Sequence, residues 1–198
     1  MDLRKQRLTE LLLTQAFAYR PDPPFVLSSG ATSPYYIDCK SVILSAEGQT
    51  LTGALGYEIA RDLGVSAIGG LTLGADPIAC AIAHHSFSRS TRLSAFVVRK
   101  EAKGHGTGRW IEGAIAEGSR VAVLDDVLTT GRSTLQAVDR IRQAGLQVAC
   151  AIVLVDREEG GAEALHAAGI DVHPIVTRTQ LMAMRTLAER HRAEAGIA

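Results

Sequence analysis

The chain has 198 residues, 46% of them hydrophobic and 21% charged, which is long enough to bury a proper core and short enough to fold as one domain over residues 1–198. Lysine plus arginine balances aspartate plus glutamate at 21 each, so no global field argues for nucleic acid or an anionic membrane, and any electrostatic function must be local. Cys39, Cys80 and Cys150 are odd in number and lack C-x-x-C spacing, which implies neither a disulfide framework nor a zinc site. The start, Met1-Asp-Leu-Arg-Lys5, carries no apolar stretch of a signal peptide, and no run reaches membrane-spanning length, so the expected location is the reducing cytoplasm.

In chain order, Leu3, Leu8, Leu11, Leu12, Gln15 and Ala16 follow helical spacing, with Pro21-Asp-Pro-Pro24 expected to end that helix. Residues 25–30 and 33–39 read as two short strands around a Gly-Ala-Thr turn. A helix follows at 45–64, with Ser45 as N-cap, an apolar stripe of Leu51, Leu55, Ile59 and Leu63, and Gly64 at its stop. Strand 67–71 then turns through a glycine-rich segment, 69–77, into a helix at 78–86, with Asp76 as its expected cap and Pro77 at its first position. Such a turn can hold a phosphate through its backbone, although βα turns are often rich in glycine. A strand at 93–98, a charged loop at 99–109, a strand at 121–124 and a helix at 133–144 closed by Gly145 come next. Strand 147–155, helix 162–168, strand 172–176 and helix 181–195 complete the chain, and this alternation predicts a doubly wound, mostly parallel α/β sheet.

The densest chemistry lies between strand 121–124 and the helix after it. In an open parallel sheet, ligands bind beyond the carboxyl ends of the strands, so Asp125 and Asp126 are expected at the solvent-facing lip of that crevice. Thr129-Thr-Gly-Arg-Ser133 offers hydroxyls and backbone N–H groups at a helix start, where free amides and the dipole favour an anion. The pairing suits a sugar phosphate: carboxylates for ribose hydroxyls or a hydrated Mg2+, and a loop for the 5'-phosphate. An ordinary βα turn with a hydroxyl cap is the bland alternative. The string Val123-Leu-Asp-Asp-Val-Leu-Thr-Thr-Gly-Arg-Ser133 resembles the phosphoribosyl-pyrophosphate (PRPP) motif of type I phosphoribosyltransferases. That resemblance implies PRPP binding by Asp125, Asp126, Val127, Leu128, Thr129, Thr130, Gly131, Arg132 and Ser133, and by the turn Thr72, Leu73 and Gly74. It also implies Mg2+ held at Asp125 and Asp126 through water. The motif specifies the superfamily and leaves the base open.

The charged loop 99–109 holds four basic residues against one acidic residue, with His105 and three glycines, and reads as a mobile lid, positive where a pyrophosphate would leave. Gly104-His-Gly-Thr-Gly108 is no dinucleotide fingerprint, since its spacing is wrong. A solvated basic hairpin tip would also account for the loop taken alone. Its frame R-K-x-x-K-x-H-G, however, resembles the catalytic loop of the orotate phosphoribosyltransferase family, and the segment from Phe25 to Asp38 is similar to that family's hood hairpin. The likeness runs from about Phe25 to Arg157, with three motifs in the family's order.

This resemblance implies a type I phosphoribosyltransferase fold with a small N-terminal helix and hood hairpin in residues 1–44. The implied reaction is Mg2+-dependent transfer of ribose 5-phosphate from PRPP to orotate, giving orotidine 5'-monophosphate and pyrophosphate, in a homodimer with shared active sites. Lys103, His105, Arg99 and Lys100 would serve the leaving group, Asp125 and Asp126 the sugar, and Thr129, Arg157, Ser28, Ser29, Tyr36 and Ile37 the orotate. Arg157, at a strand end, can grip a carboxylate with two parallel charge-assisted bonds, although a surface ion pair is its bland alternative. Two departures touch charged contacts: Ser28 stands where the family often has lysine, and Leu73-Gly74 where many members have Tyr-Lys. His84, His85, His166, His173 and His191 have no metal-ligand company, and Trp110 reads as a packing group. Transfer to a purine or uracil, or a non-catalytic sensor of PRPP or nucleotides, are the competing readings. The intact charged loop and the lack of a basic nucleic-acid face weigh against the sensor.

Overall fold

The computed structural model of the chain describes residues 2–26, 30, 32–101 and 110–195. Helix α1 (Leu3–Leu11) starts at Asp2, whose carboxylate accepts the Arg4 N–H at 2.8 Å. One wider turn at Leu12–Ala16 follows, and Phe17 is already extended. The first helix therefore stops before Pro21: Phe-Ala-Tyr forms β1 (Phe17–Tyr19), because aromatic residues pack well on a pleated surface and a partner strand is available. β2 (Phe25–Val26) pairs with β3 (Thr32–Ser33), and β4 (Tyr35–Ile37) pairs with β1, both antiparallel. The single strand expected at 33–39 is divided at Pro34, which has no N–H for a ladder, so its two halves take different partners.

A short helix α2 (Lys40–Ile43) precedes α3 (Ala46–Asp62), where the Ser45 hydroxyl accepts the Gly48 N–H at 3.0 Å as the sequence implied. Then come β5 (Ala67–Leu71), α4 (Ala75–Ser88), β6 (Ser94–Val98), β7 (Ile111–Glu112), β8 (Arg120–Leu128), α5 (Arg132–Gln143), β9 (Gln147–Asp156), α6 (Gly161–Ala167), β10 (Val172–Thr177) and α7 (Arg178–Glu194). Helix α4 begins earlier than Pro77 suggested, with Gly74 at its N-cap and Asp76 inside its first turn. The Thr72 hydroxyl donates to Asp76 Oδ2 at 2.6 Å and draws that carboxylate back over the turn. Proline is tolerated there because the first helical N–H groups have no partner within the helix.

The main sheet has the order β10-β9-β8-β5-β6-β7, parallel throughout except for β7, which lies antiparallel at the edge. Side chains alternate across it. Ala122, Leu124, Ile152 and Leu154 pack with Leu8 and Leu12 of the N-terminal segment, Leu55 of α3 and Ile78 and Ile82 of α4. Val121, Val123, Ala151 and Val153 pack on the other face with Ala137, Val138 and Ile141 of α5 and Leu165 of α6. Both faces of the central strands are covered, which is why they read as near-continuous apolar runs. Among the described residues, no helix is long and apolar enough to cross a membrane.

Candidate active site

The parallel strands β5, β6, β8 and β9 bring their carboxyl ends to one side of the sheet, where the turn 72–74, the start of the 99–109 loop, the segment 129–133 and Arg157 begin. Strand β8 runs on to Leu128, well past residue 124, because Asp125, Val127 and Leu128 keep pairing with Val153, Val155 and Asp156 of β9. Asp125 is therefore not solvent-facing: it is only 9% exposed. Its Oδ2 accepts the hydroxyls of Thr134 at 2.6 Å and Ser133 at 2.9 Å, and its Oδ1 accepts the Asp126 N–H at 3.0 Å. Burial pushes its carboxyl up to about 6; the adjacent Asp126 charge adds to the rise, and the Thr134 and Ser133 hydroxyls oppose it. Asp125 thus braces the start of α5 from behind.

Asp126 is half-buried, and its Oδ1 accepts the Val127 N–H at 3.0 Å. It stands against the β5–α4 turn, where a Cβ built on Gly74 would lie 2.5 Å from Asp126 Oδ1. The acid of one motif and the turn of another are thereby in contact. Gly74 has φ −60° and ψ −40°, which alanine adopts freely, so in Gly74→Ala the displaced group must be the Asp126 carboxylate. If Asp126 serves PRPP as the motif's resemblance implies, that variant should raise the KM for PRPP roughly tenfold, with little change in melting temperature. Unchanged PRPP kinetics would separate Asp126 from the sugar site.

Gly131, with φ +78°, makes the left-handed turn that opens α5, and no side chain caps that helix start. Its first amides remain available to an anion. Thr129 is half-buried, while Thr130, Arg132 and Ser133 are exposed. Val127 packs against one core and Leu128 is buried in the other, so what they can offer a ligand is main chain. In the β5–α4 turn, Leu73 is exposed, and Thr72 and Gly74 are half-buried.

Arg157 follows the end of β9 and is 4% exposed. Its Nη2 donates to Glu159 Oε1 at 2.7 Å and to Ser33 Oγ of the hood at 3.2 Å, while its buried Nε has no partner among the described residues. Tyr36 is exposed and lies 5.6 Å from the Phe25 ring, whereas the Ile37 side chain belongs to the core, leaving only main chain for a ligand. Arg99 pairs with Glu112 at 3.3 Å and donates from Nε to the Glu101 carbonyl; the Lys100 side chain is exposed. Ser28, Ser29, Lys103 and His105 lie outside the described residues.

Four residues at this edge were not singled out in the sequence. Thr134 could have been found as a second hydroxyl in the first turn of α5, and Glu159 as an acid two positions after Arg157. Ser33 and Lys40 gave no local signal. Lys40 Nζ donates to Asp38 Oδ1 at 3.0 Å, and Asp38, with Asp126 beyond it, holds the ammonium above the usual lysine range. Among the described residues no group of three or more His, Cys, Asp or Glu side chains could hold a metal ion. Two adjacent carboxylates, one already saturated by hydroxyls, instead fit a Mg2+ that keeps most of its ligands from water and phosphate oxygens.

No protein-family model matches the chain. The orotate phosphoribosyltransferase of Aquifex aeolicus (strain VF5) is 45% identical over 180 residues, which are 91% of this chain and 98% of that protein. That of Sorangium cellulosum (strain So ce56) is 46% identical over 177 residues, 88% of this chain and 91% of its own. Among solved structures, Mycobacterium tuberculosis H37Rv orotate phosphoribosyltransferase in complex with 5-phospho-alpha-D-ribosyl 1-diphosphate superposes with a TM-score of 0.74 at 35% identity, covering 90% of this chain and 98% of that one. Likeness of this depth, extending over about nine-tenths of this chain and of each of these relatives, means that the chain belongs to the orotate phosphoribosyltransferase family.

Proposed function

We propose that the chain transfers ribose 5-phosphate from PRPP to N1 of orotate, releasing pyrophosphate, as a single-domain cytoplasmic enzyme of pyrimidine biosynthesis that works as a homodimer with shared active sites. The observation that carries the choice of base is Arg157: a buried guanidinium at the ligand-binding edge, with a donor to spare, suits the carboxylate that distinguishes orotate from uracil. The relatives' names support the same acceptor, and the M. tuberculosis complex supports PRPP as donor.

In the reaction the bond from C1' to pyrophosphate lengthens before the bond to N1 is complete, so negative charge grows on the leaving group and positive charge on the sugar. Asp126 positions the ribose through its hydroxyls, braced by Asp125. The amides and hydroxyls of Thr129, Thr130, Gly131, Arg132 and Ser133 hold the 5'-phosphate, and main-chain amides of Thr72, Leu73 and Gly74 meet the pyrophosphate. Lys103, Lys100 and Arg99 balance the leaving charge, with His105 donating a hydrogen bond or proton. Thr129, Tyr36 and the main chain at Ile37 line the orotate, with Ser28 and Ser29. Asp126, with Asp125 behind it, would hold a Mg2+, which would supply further charge neutralisation on the pyrophosphate.

The test is loss of orotate absorbance with PRPP and Mg2+, with pyrophosphate release measured against uracil, adenine and hypoxanthine in parallel. Release with orotate alone is the expected result. Equal release with uracil or a purine would overturn the choice of acceptor, and no turnover with any base would favour a sensor. Arg157→Ala should raise the orotate KM roughly fiftyfold while the KM for PRPP moves less than about twofold, since of the two substrates only the acceptor loses a partner; Glu159 and Ser33 lose theirs as well, so melting temperature is read alongside. An unchanged orotate KM would remove Arg157 from the site.

A further inference from the structure

Both stems of the 99–110 segment are held by one buried charge outside the residues assigned so far. Arg140, near the end of α5, is 8% exposed. Its Nη1 donates to the carbonyl of Arg99 and its Nη2 to the carbonyl of Lys100, the latter at 2.9 Å. Its guanidinium carbon lies 4.2 Å from the centre of the Trp110 ring. The Arg99 N–H donates to the Trp110 carbonyl at 2.9 Å, which ties the outgoing stem to the returning one. Among the described residues no carboxylate pairs with Arg140: two main-chain carbonyls and an indole face take the place of a counter-ion. The same helix opens at the phosphate loop, about 12 Å away at 1.5 Å per residue.

We propose that Arg140 is a positioning residue for the transfer reaction, fixing the stems of the 99–110 segment to the helix that carries the phosphate loop. This rests on the reading that Lys103 and His105 act from that segment. One rigid element then sets both the seat of the 5'-phosphate and the point from which the basic groups reach the leaving group. Lysine cannot replace the guanidinium, because a single ammonium cannot serve two carbonyls in a fixed fork and stack on an indole at once. The chain supplies its own reporter: Trp110 is its only tryptophan, half-buried at the rim of a cleft of about 460 Å³ that also touches Ile111, Ile115, Gln143 and Leu146.

The experiment compares Arg140→Met, Arg140→Lys, Trp110→Leu and Lys103→Ala in the full chain, reading kcat, both KM values, melting temperature and, where Trp110 remains, its emission with and without PRPP. In Arg140→Met and Arg140→Lys we expect kcat to fall roughly thirtyfold, within the range that small misplacements far from the chemistry produce, with the orotate KM within about twofold. The Trp110 emission should shift in the free protein, and its response to PRPP should disappear. Trp110→Leu, which keeps the carbonyl contacts, should lose less activity than either. A kcat near the parent value in the folded Arg140 variants would overturn the proposal, as would a fall in activity that only follows the unfolded fraction. If Arg140→Met does not fold, Arg140→Lys decides by the same criteria. Full activity in Lys103→Ala would instead sink the reading of the loop, whereas a crippled Lys103→Ala beside active Arg140 variants would sink the role of Arg140 alone.

Discussion

Asp126→Asn is expected to lower kcat/KM for PRPP by several hundredfold or roughly 3–4 kcal/mol, with melting temperature almost unchanged, because in the proposed role its bonds to the ribose hydroxyls would lose their charge. Asp125→Asn should behave differently. Its carboxyl is buried, and its value of about 6 in the folded chain lies above the ordinary 3.8. A proton bound more tightly in the folded state contributes stability that is complete below about pH 4 and is lost as pH rises through about 6. The parent should therefore lose stability between pH 4 and 7 while Asp125→Asn does not, since a neutral amide can accept the Asp126 N–H and donate to the two hydroxyls. Thermal denaturation of both proteins across that interval checks the sign. Matching curves would mean that Asp125 ionises as an exposed carboxylate does, and equal losses of activity and stability in Asp126→Asn would mark a structural pair.

Lys103→Ala should cut kcat at least a hundredfold, the usual effect of removing a fixed donor to a developing negative charge. Mixed with Asp126→Asn, it also tests whether sites are shared. Each variant alone is nearly inactive. After an equal mixture is unfolded and refolded, random pairing makes half of the molecules mixed dimers. If the loop acts on the neighbouring subunit, each mixed dimer has one site with both defects and one with neither, so about a quarter of all sites recover. If the loop serves its own chain, every site keeps one defect. A mixture no more active than its parents would therefore refute the shared site.

The features legible in the sequence are those decided over a few residues. The hydroxyls and glycine of Thr129 to Ser133 favour a turn that starts a helix, and the alternation of apolar runs with helical stripes favours a wound sheet. Asp125 was misplaced because the end of β8 is set by β9, a pairing that local pattern does not encode. The split at Pro34 was open to reading, since proline lacks the N–H, but the partner taken by Tyr35 to Ile37 depends on Phe17 to Tyr19. Arg140 reads locally as one more cation on an amphipathic helix. Only the approach of Arg99, Lys100 and Trp110, far off in sequence, makes it a buried clamp.

The fastening of Arg157 to Ser33 and Glu159 also bears on how fast and how tightly an acceptor is captured. A free arginine side chain carries about 2 kcal/mol of rotamer entropy, which a ligand that orders it must overcome. Here that freedom is already lost in folding, so in the proposed role the acceptor's carboxylate would meet a guanidinium held at a set angle. Association would then be limited by desolvation rather than by a search among side-chain conformers.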